Sequence, residues 1–168
     1  MFPMLIYLPH GKRSIPKQCD HQYKDETTMK IELSTNVERE LINDKLVHFN
    51  LKNVPFNQKE AFIDLSFSVK DDAGEIIGGI NSVLYCWHVL YVDILFVDEP
   101  HRGKGYGKLL LQQAENAARQ QGGYMVHLDT FDWQAKSFYL NAGYKVFGQL
   151  ENCPPSHTRF YMRKTLNP

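Results

Sequence analysis

The sequence predicts an α/β chain of the α+β type, in which a mixed, mostly antiparallel sheet carries one central parallel strand pair and flanking helices. Three observations carry this. Runs of period-two hydrophobicity follow one another between Ala61 and Val97 with turn residues between them, the pattern of an antiparallel meander. A glycine-rich turn, Arg102-Gly103-Lys104-Gly105-Tyr106-Gly107, joins the last of these strands to a helical pattern. A further strand follows that helix, and a strand reached through a helical crossover lies parallel to the strand it left.

The chain has 168 residues, about one domain's length. The stretch from Met1 to Pro9 is apolar but too short to span a bilayer, and its lysine and arginine follow it. His10 to Thr28 is polar and has neither period, so residues 1–28 read as a loosely ordered extension and residues 29–168 as the folded domain. Met29 is then a candidate second start. Ile31 and Leu33 alternate with Lys30 and Glu32 as a short strand. A helix follows, capped by Ser34, Thr35 or Asn36, with Val37, Leu41, Ile42, Leu46, Val47 and Phe49 as its apolar stripe. Asn50 to Asn57, with Pro55, reads as a loop.

From Phe62 to Val69 the sequence alternates as one strand, ending at the hairpin turn Asp71-Asp72-Ala73-Gly74. Ile76 to Trp87 is the next strand, where Gly78-Gly79 marks a kink or bulge, and His88 to Val97 is the third. Lys108 to Gln121 has Leu110, Leu111, Ala114, Ala117 and Ala118 at helical spacing and ends at Gly122-Gly123. Tyr124 to Leu128 reads as a buried strand, Trp133 to Ala142 as a helix closed by Gly143, and Tyr144 to Leu150 with Arg159 to Leu166 as a last strand pair.

Composition removes several function classes. Lysine plus arginine and aspartate plus glutamate are each 19, so net charge points to neither nucleic acid nor an acidic membrane. Cys19, Cys86 and Cys153 are odd in number and far apart, which suits the reducing cytoplasm better than a disulfide framework. The histidines form no H-E-x-x-H and no Cys/His cluster, so no metal is expected.

Chemistry concentrates in the glycine-rich turn. Glycines at alternate positions leave little side chain between backbone and ligand, and consecutive N–H groups at a helix start attract an anion, here a phosphate. It is not a nucleotide P-loop, because Gly107-Lys108 is followed by Leu109, and it is not a dinucleotide fingerprint, because Lys108 stands where the third glycine belongs. What fits is R-x-x-G-x-G, read as Arg102, Gly105 and Gly107. Downstream stands Asp132-x-x-Ala135-x-x-Phe138-Tyr139-x-x-x-Gly143-Tyr144.

With these two motifs and the element order, the stretch from about Met29 to Leu166 resembles the GNAT superfamily of N-acetyltransferases. The resemblance implies the GNAT fold, with its central parallel pair splayed, and acetyl-coenzyme A as co-substrate. It implies that the backbone of Leu95, Phe96 and Val97 binds the pantetheine arm. Arg102, Gly103, Lys104, Gly105, Tyr106, Gly107 and Lys108 would hold the pyrophosphate. The family usually has asparagine where Asp132 stands and phenylalanine where Tyr144 stands. Asparagine donates to the cofactor arm, whereas an ionised aspartate only accepts, so Asp132 reads either as a cofactor contact or as a helix cap alone.

Tyr139 is the catalytic candidate, a phenol able to protonate the departing thiolate. Asp93 is the candidate base for the attacking amine, by alternation on the face of Leu95 and Val97, with Asp129, His127 and His157 as lesser candidates. The implied reaction is direct acetyl transfer to a primary amine in a ternary complex, on a small molecule in preference to a peptide. An acetyl-coenzyme A sensor or interaction module without turnover is the alternative, disfavoured by the presence of Tyr139. The family also implies a possible homodimer. The acceptor would be shaped near Asn50–Gln58 and Glu151–Thr158, with Phe56, Trp87, Phe131 and Trp133 as candidate apolar lining.

Overall fold

The computed structural model describes residues 29–166; the expected N-terminal extension lies outside the described residues. The chain divides into two units, one ending at Pro55 and one beginning at Phe56.

In the first unit, helix α1 (Asn36–Asn53) begins with a capping box in which the Thr35 hydroxyl accepts from the Glu38 N–H and the Glu38 carboxylate accepts from the Thr35 N–H at 2.7 Å. At its other end the helix runs to Asn53, into the residues expected to form a loop. None of its residues is buried. The short strand expected at Ile31–Leu33 does not form: these residues have no pairing partner among the described strands, and a strand without a ladder leaves its backbone unpaired.

The second unit is a seven-stranded sheet with two helices. β1 (Phe62–Asp64) and β2 (Phe67–Lys70) both pair antiparallel with β3 (Ile76–Tyr85), and β3 pairs antiparallel with β4 (Val89–Val97). The expected single strand over Phe62–Val69 is split at Leu65-Ser66. There the Leu65 carbonyl accepts from the Ser82 hydroxyl at 2.6 Å, and the Ser66 N–H turns to the Asp64 carboxylate at 2.8 Å. The hairpin turn is as expected, with the Asp71 carboxylate accepting from the Ala73 and Glu75 N–H groups.

Helix α2 (Tyr106–Gln120) connects β4 to β5 (Met125–Phe131), and β4 and β5 are parallel. After the short helix α3 (Lys136–Asn141), β6 (Lys145–Glu151) and β7 (Thr158–Thr165) form a hairpin whose second strand inserts beside β5. The sheet order is β1-β3-β4-β5-β7-β6.

The core gathers Ile80, Leu84, Leu90, Val92, Val126, Leu128 and Met162 of the sheet against Leu110, Leu111, Ala114 and Ala118 of α2, with Tyr139 and Tyr144. The alanines allow α2 to approach the sheet closely. Among the described residues one charged side chain is buried there. Glu115, 2% exposed, accepts from the Tyr144 hydroxyl at 2.9 Å and from the Lys164 ammonium at 2.7 Å. It is thus hydrogen-bonded and charge-paired, the condition under which a buried carboxylate is tolerated.

Candidate active site

The site is produced by the way β4 and β5 part. Their parallel pairing runs from Val89↔Met125 to Val92↔Leu128 and stops, although β4 continues to Val97 and β5 to Phe131. The cause lies on the other edge of β4, where the register with β3 slips between Asn81↔Ile94 and Ser82↔Val92 and leaves Asp93 as the extra residue of a bulge. A bulge bends its strand and increases its twist, so β4 turns away from β5 from Asp93 onward. Between the diverging strands lies a cleft of about 910 Å³ lined by Asp93–Val97, the loop around Arg102–Lys108, Asp129, Thr130, Trp133, Gln134, Ala135, Phe138 and Tyr139.

Past Val92 the β4 backbone edge that faces the cleft has no ladder partner, so backbone groups of Leu95 and Val97 on that edge face a ligand, although the Val97 carbonyl already accepts from Arg102 Nε. The Phe96 carbonyl points the other way, to β3, which corrects the expectation for that residue. On its other edge Gly78 lies against the same segment: a Cβ there would stand 3.0 Å from the Phe96 carbonyl oxygen and 3.2 Å from Val97 Cγ2. Glycine at this position lets β3 support the free edge without pushing it into the cleft. The bulge associated with the expected Gly78-Gly79 kink occurs next to it, at Ile77 opposite Val69–Lys70.

At the far end of β4 a 3-10 turn (Glu99–His101) leads into the glycine loop. The Arg102 N–H is bonded to the Glu99 carbonyl and the Leu109 N–H to the Gly105 carbonyl; between them, the N–H groups from Gly103 to Lys108 meet no protein acceptor among the described residues. Gly103 and Gly105 have φ of +76° and +88°, which turn the backbone so that these donors converge at the start of α2. The helix begins at Tyr106, two residues earlier than expected, and its dipole adds positive potential there. Arg102 bonds through Nε to the Val97 carbonyl at 2.9 Å and lies over the Phe96 ring, so it fastens the loop to the strand. An elongated ligand with an anionic group at the loop fits this cleft.

Tyr139 is on α3, 6% exposed, and its ring contacts Phe138 and Tyr144. Phe138 in turn packs toward Gly107 of the loop. No described group hydrogen-bonds the Tyr139 hydroxyl, and no buried side-chain oxygen among the described residues lacks a partner, so this hydroxyl opens into the cleft that Tyr139 lines. Burial, with the Asp129 carboxylate as a smaller contribution, weakens it as an acid and pushes its pKa up to about 12. It is a neutral phenol with a proton to give.

Asp93 lines the same cleft and accepts from the Tyr91 hydroxyl at 3.5 Å. As the extra residue of the bulge it is not related to Leu95 and Val97 by simple alternation, which corrects the sequence expectation. Asp129 also lines the cleft, but its carboxylate is engaged by Arg159 Nε at 2.6 Å. His127 lies on the same strand face, bonded to the Tyr85 hydroxyl at 2.9 Å, and burial lowers its basicity while Asp129 opposes that.

Two expectations are revised. Asp132 does not cap a helix, because α3 starts at Lys136 with Ala135 at its N-cap. Its carboxylate accepts instead from the His157 ring at 3.0 Å and from the Thr158 N–H at 3.1 Å, and Asp132 is not among the residues lining the cleft. The turn before α3 is held by Gln134, whose amide oxygen accepts from the Phe131 N–H at 2.9 Å. Of the four aromatic candidates, Phe56 and Trp87 pack on each other edge to face outside the cleft lining, whereas Trp133 lines it and stacks on Phe131. Sequence reading missed Glu115, although its place four residues after Leu111 and three before Ala118 puts a charge on the apolar stripe of α2. The Tyr144 hydroxyl reaches it there.

Known proteins agree with this geometry. The acetyltransferase (GNAT) family model matches residues 34–144. Blasticidin-S acetyltransferase of Streptomyces morookaense is 35% identical over 96 residues, 56% of this chain and 70% of that protein. An acetyltransferase of Agrobacterium fabrum is 34% identical over 110 residues, 65% of this chain and 77% of that protein. Among solved structures, an acetyltransferase from Bacillus cereus superposes with a TM-score of 0.75 at 34% identity, covering 82% of this chain and 98% of that one. Its topology is the GNAT fold seen here.

Proposed function

Because the chain belongs to the acetyltransferase (GNAT) family and is an enzyme that uses acetyl-coenzyme A, we propose that it acetylates a primary amine on a small molecule by direct attack in a ternary complex. The observation that carries this is the opening of three different groups into one cleft: the unpaired N–H groups of Gly103–Lys108, the free edge of β4 and the Tyr139 hydroxyl.

Acetyl-coenzyme A supplies an activated thioester carbonyl. The loop N–H groups and the N-terminus of α2 bind the pyrophosphate, helped by the charges of Lys104 and Lys108, and the free backbone edge of β4 at Leu95 and Val97 hydrogen-bonds the pantetheine arm. Arg102 keeps loop and strand in register. The acceptor nitrogen forms its bond to the carbonyl carbon as the carbon–sulfur bond breaks. Asp93 receives the proton from nitrogen, directly or through water, and Tyr139 gives its proton to the departing sulfur and is reprotonated from solvent. Asp129, held by Arg159, has no part in the proton transfer. Asp132 acts on the hairpin loop through His157 and Thr158.

The small-molecule acceptor is supported by the name of the Streptomyces relative, which acts on blasticidin S. Among the described residues no helix is long and apolar enough to cross a membrane. The free thiols of Cys86 and Cys153 suit the reducing cytoplasm, where we place the enzyme. The test is release of coenzyme A thiol across a panel of amines, run beside Tyr139→Phe. Release that requires one amine class and falls about 100-fold or more in kcat in the variant, with acetyl-coenzyme A binding unchanged, is the expected result. Equal turnover by the variant would remove Tyr139 from the mechanism.

A further inference from the structure

The cleft reaches both faces of the sheet, and the two faces differ. By strand alternation Val126, Leu128 and Thr130 of β5 turn into the core beneath α2 and α3, whereas His127, Asp129 and Phe131 turn to the other face. Tyr139 and Phe138 belong to the helix side, with the glycine loop. Trp133 belongs to the opposite side, because its ring stacks on Phe131 at a centroid distance of 4.5 Å with the planes 13° apart. The His157 ring meets Trp133 edge to face at 4.5 Å and is fixed by its bond to Asp132. The Gln134 turn fixes the backbone beneath.

Trp133 is nevertheless 52% exposed while lining the cleft. An indole this large, held rigidly by two ring contacts and still half open to solvent, costs exposed apolar area that a bound flat group would cover. Of the carboxylates that line the cleft, Asp129 is held by Arg159 and Asp93 accepts from the Tyr91 hydroxyl, so both share the cleft with the aromatic wall of Trp133. Building on the proposed reaction, we infer that the Phe131–Trp133 stack is the acceptor platform, and that it selects primary amines carried on a planar aromatic or heteroaromatic group. The ring lies on the indole while its amino group extends toward Asp93 and the thioester.

A matched pair tests this: phenylethylamine and cyclohexylethylamine have the same chain and ring size, and only the first is planar. Turnover of both is measured for the wild type and for Trp133→Leu, which keeps apolar bulk but removes the ring. Binding is read separately from the fluorescence of Trp133 in a Trp87→Phe background saturated with coenzyme A, the chain having 2 tryptophans. The expected result is a preference in kcat/KM for the planar amine of about 5-fold or more. It disappears in Trp133→Leu, with KM for acetyl-coenzyme A unchanged, and the planar amine alone alters Trp133 fluorescence. An equal preference in wild type and Trp133→Leu, or none in either, overturns the platform. Fluorescence change with the planar amine but no turnover of either amine supports the platform while refuting the transfer reaction. No fluorescence change and no turnover refutes the platform.

Discussion

Asp93 and Tyr139 divide the proton chemistry between two residues of opposite character. Tyr139 is held neutral to about pH 12 by burial and Asp129, so loss of its proton does not limit activity on the alkaline side below that. Asp93→Asn removes the acceptor of the amine proton but keeps the shape. Its expected effect is a fall in kcat of about 10- to 100-fold at neutral pH that shrinks as pH rises toward the amine's own pKa, measured as a pH–rate profile against wild type. A flat ratio across pH would show that Asp93 does not take the proton.

Glu115 gives a residue-scale prediction for stability. Lys164→Met leaves a carboxylate, 2% exposed, with only the longer 3.4 Å contact to Arg119 as its cationic partner, at an expected cost of about 3 kcal/mol in urea unfolding. Glu115→Gln in the same background recovers much of it. Tyr139 and the loop glycines were legible in the sequence because their chemistry sits in contiguous motifs. Glu115 and the Asp132–His157 bond were not, since each joins residues far apart in the chain.

At the scale of elements, the cleft depends on β4 leaving β5 while staying supported by β3. Gly78→Val is expected to press on the Phe96 carbonyl and Val97, costing about 1–3 kcal/mol. KM for acetyl-coenzyme A should rise more than KM for the amine, checked by steady-state kinetics with each substrate varied. At the helix end, Gly105 has φ of +88°, and a Cβ there would meet nothing within 4 Å. Gly105→Ala is therefore a pure backbone perturbation of about 1–2 kcal/mol, expected to weaken coenzyme A binding in calorimetry without altering the sheet.

Element order was readable from the two periodicities, and the parallel β4–β5 pair from the crossover helix between them. The splay was expected from the family resemblance alone and not from periodicity, because it follows from a one-residue slip between β3 and β4, and alternation within a single strand carries no information on register against its neighbour. The early start of α2 and late start of α3 have a similar origin. Gly105 and Gln134 set those boundaries through backbone geometry and a side-chain bond.

For the sheet unit as a whole, one titration signature follows from burial. Tyr85, Tyr91 and Tyr139 are each pushed up to about 12, by burial first and by neighbouring charges second. In the unfolded chain these phenols ionise near 10. The unfolded state then releases protons that the folded state keeps, so stability is intact below about pH 10 and falls as pH rises from there through 12. Urea midpoints measured across that range should decline, and more shallowly for Tyr139→Phe.

The central claim is that the β4–β5 opening, the glycine loop and Tyr139 form a single binding path. A crystal structure of the protein with coenzyme A tests it most directly. The expected result has pyrophosphate oxygens about 3 Å from the N–H groups of Gly103–Lys108, the pantetheine amides paired with the backbone edge of Leu95–Val97, and the sulfur beside the Tyr139 hydroxyl. Pantetheine lying outside the opening, or a sulfur remote from Tyr139 with the pyrophosphate correctly held, would contradict it.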